Sequence, residues 1–272
     1  MVYGTLAGSK IGFSMPGKNR IKDLRLLHQK KHREEQKKFL AEGVKIIPEL
    51  IASGFPVEEI FAVQRWIDSN QKLIRESNVS FIPVSLKEME MISCLSAPQD
   101  VLAVCSIPEE PPADAGTGEL VLLFDSIRDP GNAGTLIRLA DWFGVSAVVA
   151  SDDSVEWTNP KVIQATMGSF IRVRPTYVHA ENWLASIHKQ VEIFATVLEG
   201  QHLYTSEFPT SGVIILSNES RGLSKELMPF VSRKLTIPRF STHPQQVESL
   251  NAAMAGAVVL GEFSRRRLTQ SA

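Results

Sequence analysis

Three stretches in the second half of the chain attach polar and charged residues to apolar runs where periodicity does not require them. The first follows residues 120–124 and reads Asp125-Ser126-Ile127-Arg128-Asp129-Pro130-Gly131-Asn132-Ala133-Gly134-Thr135-Leu136-Ile137-Arg138. Pro130, Gly131 and Gly134 predict a tight turn into a helix, whose first N–H groups lack intrahelical partners and can hold an anion. Arg138 is expected about one turn inside that helix. The second stretch, residues 214–224, carries Asn218 and Glu219 behind an apolar run, and Ser224 is placed to cap a helix that follows. The third runs from Leu235-Thr236-Ile237-Pro238 through a polar loop to Ser249-Leu250-Asn251-Ala252-Ala253-Met254, where Ser249 reads as an N-cap.

Taken singly, each stretch has a structural explanation, and the common catalytic signatures are absent. The spacing Gly131-Asn132-Ala133-Gly134 lacks the third glycine of a dinucleotide fingerprint, and no phosphate-binding-loop lysine accompanies it. There is no G-x-S-x-G elbow, so the serines carry no hydrolase reading. The two cysteines, Cys94 and Cys105, fit neither a zinc knuckle nor a redox pair and read as buried free thiols. His28 and His32 have the i, i+4 spacing of a helical metal pair, but Lys30, Lys31 and Arg33 beside them would repel a cation. No metal is expected.

The elements that must position these residues follow from patterning. Apolar runs at 120–124, 145–150, 191–197, 213–216 and 234–237 alternate with helical patterns, which predicts a parallel sheet covered by helices. The last helix, from residue 250 to about residue 267, bears Ala252, Ala253, Ala255, Gly256 and Ala257 and suits close packing against a sheet or a second subunit. Arg265, Arg266 and Arg267 suit its C-terminus through the helix dipole, with phosphate binding as the alternative. Residues 107–119, rich in proline, glycine and glutamate, predict a connector between residues 18–106 and 120–272. The first of these segments reads as a small α/β unit. It has an exposed helix over 21–38, an apolar helical stretch over 39–51 that Pro48 kinks or restarts, and strands at 60–63, 80–84 and 101–106. Residues 1–17 read as a loose leader without an apolar signal core.

Composition bounds the function. The chain of 272 residues is 43% apolar and 22% charged, which excludes disordered and collagenous classes. No apolar run approaches the roughly 20 residues of a membrane crossing, so no membrane partner and a cytoplasmic location are expected. The near balance of 29 basic and 30 acidic side chains hides ten basic against four acidic residues between positions 18 and 45. Lys30, Lys31, Arg33, Lys37 and Lys38 stand at the centre of that segment, which suits either a solvated helix face or a polyanion contact.

Together the three stretches say more. The order N-x-G-x-x-x-R after a strand, then Asn218-Glu219 with Gly222-Leu223-Ser224, then Ile237-Pro238 with Ser249-Leu250-Asn251 and an alanine-rich helix resembles the SpoU/TrmH branch of the SPOUT superfamily of RNA methyltransferases. The resemblance spans residues 120 to about 263. Upstream, Phe39-Leu40-Ala41-Glu42-Gly43 resembles the F-x-x-E-G segment of the RNA-binding substrate domain that often precedes the catalytic domain in this family.

What the resemblance implies is specific. The fold would be α/β, a C-terminal SPOUT-type parallel sheet with a deep trefoil knot flanked by helices, plus a small N-terminal α/β substrate-binding domain. The protein would be a homodimer using S-adenosylmethionine to methylate a ribose 2'-hydroxyl. Ribosomal RNA is favoured by the extra domain, with transfer RNA as an alternative. A non-catalytic RNA-binding or assembly protein that kept the fold is the competing class. Asn132, Arg138, Glu219, Ser249 and Asn251 would take the catalytic or substrate-positioning places. Thr196, Leu198, Gly200, Ser217, Asn218, Gly222, Ile237 and Leu250 would line the cofactor loops, and Lys30, Lys31, Arg33, Lys37 and Lys38 would meet RNA.

These residue types suit methyl transfer, which rests on in-line positioning more than on covalent chemistry. Arg138, permanently protonated, serves as a phosphate clamp before it serves as a base. Three departures from the family pattern stand out. Ser217 and Ser220 replace its usual glycines, the loop 239–248 is longer than usual, and Gln164 stands where an arginine is common.

Overall fold

The computed structural model describes residues 17–113, 115–116, 118–241 and 249–270, which form two compact units. Most of the expected leader and residues 242–248 of the long polar loop lie outside the described residues. The first unit comprises the described residues up to Glu109 together with Thr158–Ile171; the second comprises Glu110–Trp157 and Arg172–Ala272.

In chain order the first unit contains α1 (Lys18–Leu26), α2 (Lys30–Gln36), β1 (Lys38–Glu42), α3 (Ile46–Ala52), β2 (Val57–Val63), α4 (Gln64–Ser69), α5 (Gln71–Glu76), β3 (Ser80–Val84), α6 (Leu86–Ile92) and β4 (Val101–Ser106). The sheet order is β1-β4-β2-β3, with β4 antiparallel to both β1 and β2, and β2 parallel to β3. The single exposed helix expected over 21–38 is in fact two helices, which allows Ile21, Leu24 and Leu27 to be buried together. Lys37, in the left-handed conformation at φ 53°, ends the second of them.

The helix expected over 39–51 is also corrected. Phe39, Leu40, Ala41 and Glu42 are all buried in β1, and only α3 is helical. A strand covered on both faces has the apolar content of a buried helix, so periodicity cannot separate the two. Gly43, at φ +140°, takes the chain from β1 toward α3 through backbone space that a side chain disfavours. Pro48 falls in the first turn of α3, where its missing N–H is harmless, and no kink results.

The Glu42 carboxylate is buried and accepts hydrogen bonds from Ser93 Oγ and Cys94 N, both at 2.6 Å. Burial pushes its pKa up, although both hydrogen bonds oppose the rise. A carboxyl whose folded pKa is raised favours folding at low pH, and that contribution is lost as pH rises from the ordinary carboxylate range through the raised value. Glu42→Gln is therefore expected to flatten the fall in stability as pH rises above the ordinary carboxylate range, as read by denaturant unfolding. An unchanged pH profile would contradict the assignment. Burial also pushes the neighbouring Cys94 thiol up to about 12 and raises Cys105 as well, so both free cysteines stay protonated near neutrality.

The remaining part of this unit is α8 (Pro160–Thr166) and the short 3-10 turn Ser169–Ile171. These residues lie within positions 120–272, yet they cluster with the first unit. The buried Phe170 shows why: its ring meets Phe39 and Phe55 edge-on, at 5.8 and 5.6 Å between centroids.

The second unit contains β5 (Leu120–Asp125), α7 (Pro130–Phe143), β6 (Ala147–Ser151), β7 (Pro175–Val178), α9 (Ala180–Ile187), β8 (Ile193–His202), β9 (Gly212–Ser217), β10 (Arg233–Thr236) and α10 (Ala252–Gln270). The six strands form one parallel sheet in the order β10-β8-β9-β5-β6-β7. β5, buried throughout, lies between β9 and β6. β7 was not foreseen, because an edge strand opening on proline has little of the apolar run that marks its neighbours.

The small residues of α10 form a seam. A Cβ added at Gly256 would lie 2.5 Å from Leu136 Cδ2 on α7 and 3.1 Å from Leu216 Cδ1 on β9. Arg265 and Arg266 both pair with Glu262, and Arg266 also donates to the carbonyls of Leu203 and Ser206. Arg266 thus ties the chain after β8 to α10. No helix among the described residues is long and apolar enough to cross a membrane.

Candidate functional site

The C-terminal ends of β5 and β9 lie side by side, with Asp125 opposite Ser217. The first two motif stretches leave the sheet there. The buried Asp125 carboxylate accepts Ser224 N at 2.8 Å and Ser224 Oγ at 2.5 Å. Ser224 therefore does not cap a helix; its hydroxyl is spent on Asp125, and only the short 3-10 turn Met228–Phe230 follows. Asn218 N donates to Asp125 O, Asn218 Nδ2 to Ser126 O, and Asn218 Oδ1 accepts Ser220 N. Gly222, at φ +67°, closes this turn. The loop is folded back onto β5 and presents Glu219.

Glu219 Oε1 is where the three stretches meet. It accepts Asn132 Nδ2 at 2.6 Å, Ala252 N at 2.8 Å and Asn251 Nδ2 at 3.4 Å. Asn251 Nδ2 also donates to Asn132 Oδ1 at 2.8 Å. Asn132 is 87 residues from Glu219 and 119 from Asn251 in the chain. Two helix starts hold the partners in place. Asp129 Oδ1 accepts Asn132 N at the head of α7, and Asn251 Oδ1 accepts Ala253 N and Met254 N at the head of α10. Asn251, adjacent to the first helical residue, is thus the N-cap expected of Ser249, which stands two positions too early.

The family comparison agrees with this convergence: the SpoU rRNA Methylase family model matches residues 119–261. The chain belongs to that family. A second model, the MRM3-like substrate binding domain, matches residues 18–103. The 23S rRNA (guanosine(2553)-2'-O)-methyltransferase RlmP of Bacillus subtilis is 30% identical over 244 residues, covering 89% of this chain and 94% of the relative. A 23S rRNA (uridine(2479)-2'-O)-methyltransferase of Streptomyces viridochromogenes is 25% identical, covering 90% of this chain and 88% of the relative. A solved TrmH-family structure from Porphyromonas gingivalis superposes with a TM-score of 0.82 at 32% identity, covering 93% of this chain and all (100%) of that one. An AdoMet-bound rRNA methyltransferase structure from Sinorhizobium meliloti gives 0.78 at 27% identity, covering 95% and 98%. SpoU enzymes move a methyl group from S-adenosylmethionine to RNA, and the chain is an RNA methyltransferase of that kind.

Not every expected SpoU residue joins the Glu219 cluster. Arg138 lies eight residues past the first residue of α7, more than two turns at about 3.6 residues each and not one. It is exposed and has no partner among the described residues. Ser249 is half-buried, and Leu250 is exposed.

Of the expected cofactor residues, Thr196, Leu198 and Gly200 lie within β8, Ser217 ends β9 and Ile237 follows β10. Thr196 Oγ1 donates to Ile215 O at 3.2 Å across the β8–β9 pair. A Cβ at Gly200 would come 2.6 Å from Lys234 O, so the approach of β10 excludes any larger residue. Leu198 is exposed on β8, and Ile237 follows β10 half-buried. Ser217 Oγ is buried and has no hydrogen-bond partner.

Sequence reasoning missed a second network beside the cluster. Ser126, at φ 55°, donates its N–H to Ser151 Oγ at 2.9 Å and its Oγ to Asp153 Oδ2 at 2.7 Å. Ser151 Oγ and Arg128 Nη2 donate to the same carboxylate at 2.7 and 2.6 Å. Only the pairing of β5 with β6 brings these residues together, and no motif spacing announces it.

In the first unit one expected RNA contact is overturned. Arg33 is 2% exposed, and its guanidinium donates to the carbonyls of Leu27 and His28, both at 2.9 Å. It closes the turn between α1 and α2 and has no free face. Lys38 is half-buried and pairs with Glu58 at 2.6 Å. Lys30, Lys31 and Lys37 are exposed, the first two in loose pairs with Glu34 and Glu35. His28 Nε2 lies 2.9 Å from Ile92 O, on the turn between the two helices, and forms no pair with His32.

Proposed function

We propose that the chain methylates the ribose 2'-hydroxyl of a ribosomal RNA nucleotide, as a cytoplasmic homodimer whose C-terminal chain is knotted through the loops after β8, β9 and β10. The observation that carries this reading is the meeting of Asn132, Glu219 and Asn251 on one carboxylate oxygen. The relatives from Bacillus and Streptomyces are named for different bases but the same 2'-oxygen, which favours the ribose as the acceptor. That both relatives are named for 23S ribosomal RNA favours ribosomal over transfer RNA.

In this reading the chain's own residues position and do not bond. Arg138 clamps a substrate phosphate near the reacting hydroxyl. Asn132 and Asn251, fixed by Glu219, set the shape of the wall against which the ribose rests. When bound, S-adenosylmethionine supplies the methyl group. Ser217 Oγ, a buried hydroxyl lacking a partner, fits a polar group of the cofactor, and Leu198 and Leu250 offer apolar surface to its ring system. Lys30, Lys31 and Lys37 attract the RNA backbone. The homodimer is supported by Trp142 on α7, 83% exposed, and Met254 on α10, 63% exposed, because these two helices pack on each other and leave both side chains uncovered. The strand order supports the knot. β8 separates β9 from β10, and the chain returns from β10 to lay α10 on α7 and β9.

The test is transfer of labelled methyl from S-adenosylmethionine to purified ribosomal RNA, followed by mass mapping of the modified nucleotide. Label on the ribose is expected. Label on a base, or none on ribosomal RNA, would refute the reading.

A further inference from the structure

The Arg128–Asp153 network is more than a loop between β5 and α7 needs. Asp129 already caps the helix, yet Ser126 is held in a left-handed conformation that serine seldom adopts. Hydrogen bonds to Ser151 at the end of β6 and to Asp153 and Ser154 after it fasten that turn, with Ile127 N reaching Ser154 Oγ at 3.2 Å. Asp153 collects donors from Ser126, Ser151 and Arg128. Burial raises its pKa, but these hydrogen bonds and the arginine's charge outweigh that and hold it at about 2, so it is ionised near neutrality.

Arg128 spends one N–H on this carboxylate, and its side chain is still 47% exposed. A guanidinium has five N–H donors in a rigid fork that matches the oxygens of a phosphate. Here the fork is anchored at one end, with the rest facing solvent, two residues before α7 and four before Asn132. A free surface arginine would have to be ordered on binding; this one is ordered already.

We propose that Arg128 is an RNA-positioning residue that grips a backbone phosphate beside the target nucleotide, with Asp153, Ser126 and Ser151 holding its guanidinium in place. This rests on the RNA methyltransferase reading above and adds a contact that the three motif stretches do not supply.

The test uses the full chain, ribosomal RNA and S-adenosylmethionine. R128A should raise KM for RNA about tenfold while leaving cofactor affinity unchanged, and should lower the slope of log K against log salt by about one. R128K, which keeps a charge but not the fork, should restore the slope and only part of the affinity. D153N keeps the cation and loosens its anchor, so RNA affinity should fall with the slope unchanged. A merely structural role for Arg128 would leave the slope untouched in every variant. Wild-type methylation together with a wild-type KM and slope in R128A overturns this proposal alone. A wild-type protein that neither binds nor methylates RNA overturns both this and the reading it rests on.

Discussion

Arg138→Ala is expected to reduce methyl transfer to RNA by at least about a hundredfold, with the fold and the affinity for S-adenosylmethionine unchanged. The expectation comes from what Arg138 does not do. It stands exposed on α7 with no partner among the described residues, so removing it breaks no internal contact, and a surface substitution of this kind shifts stability by within about 0.5 kcal/mol. A permanently charged group kept unpaired on the helix that carries the first motif is available to a phosphate. Single-turnover transfer, cofactor calorimetry and thermal unfolding on the same preparation would separate the effects. Arg138→Lys should recover only part of the rate, because an ammonium offers a point charge without the fork. Full activity in the alanine variant would remove Arg138 from the reaction.

Glu219→Ala should behave in the opposite way, losing stability together with activity. The substitution strips the acceptor from Asn132 Nδ2 and Ala252 N and weakens the hold on Asn251. Leaving such donors unpaired costs about 2 kcal/mol, and α10 also loses a negative charge at its N-terminus. Glu219→Gln, which keeps a carbonyl in place of the shared oxygen, should recover much of the stability. Denaturant midpoints for the three proteins provide the check. An alanine variant as stable as wild type would mean that the carboxylate does not hold the three stretches together. The contrast between Arg138 and Glu219 distinguishes a residue that meets substrate from one that builds the wall.

The parts legible beforehand share a physical property. β5, β6, β9 and the first three residues of β8 are mostly buried, and a strand covered on both faces must be apolar along its length, so its position shows in composition alone. The order of the motif residues likewise pointed to Asn132, Glu219 and Asn251. The same property misled at β1, whose burial gave it the look of an apolar helix. Arg33 misled for a different reason. It lies in a run of cations, and only the turn between α1 and α2, with two carbonyls to satisfy, pulls it inside.

What residue order alone established is the class of fold, the identity of the three stretches and, through them, the family. Which atoms meet was settled by folding. The cap on α10 falls to Asn251, Ser224 serves Asp125, and Asp153 anchors Arg128. The last two of these pairings depend on strands distant in the chain lying side by side, and a hydrogen bond is sensitive to tenths of an ångström that residue spacing does not encode.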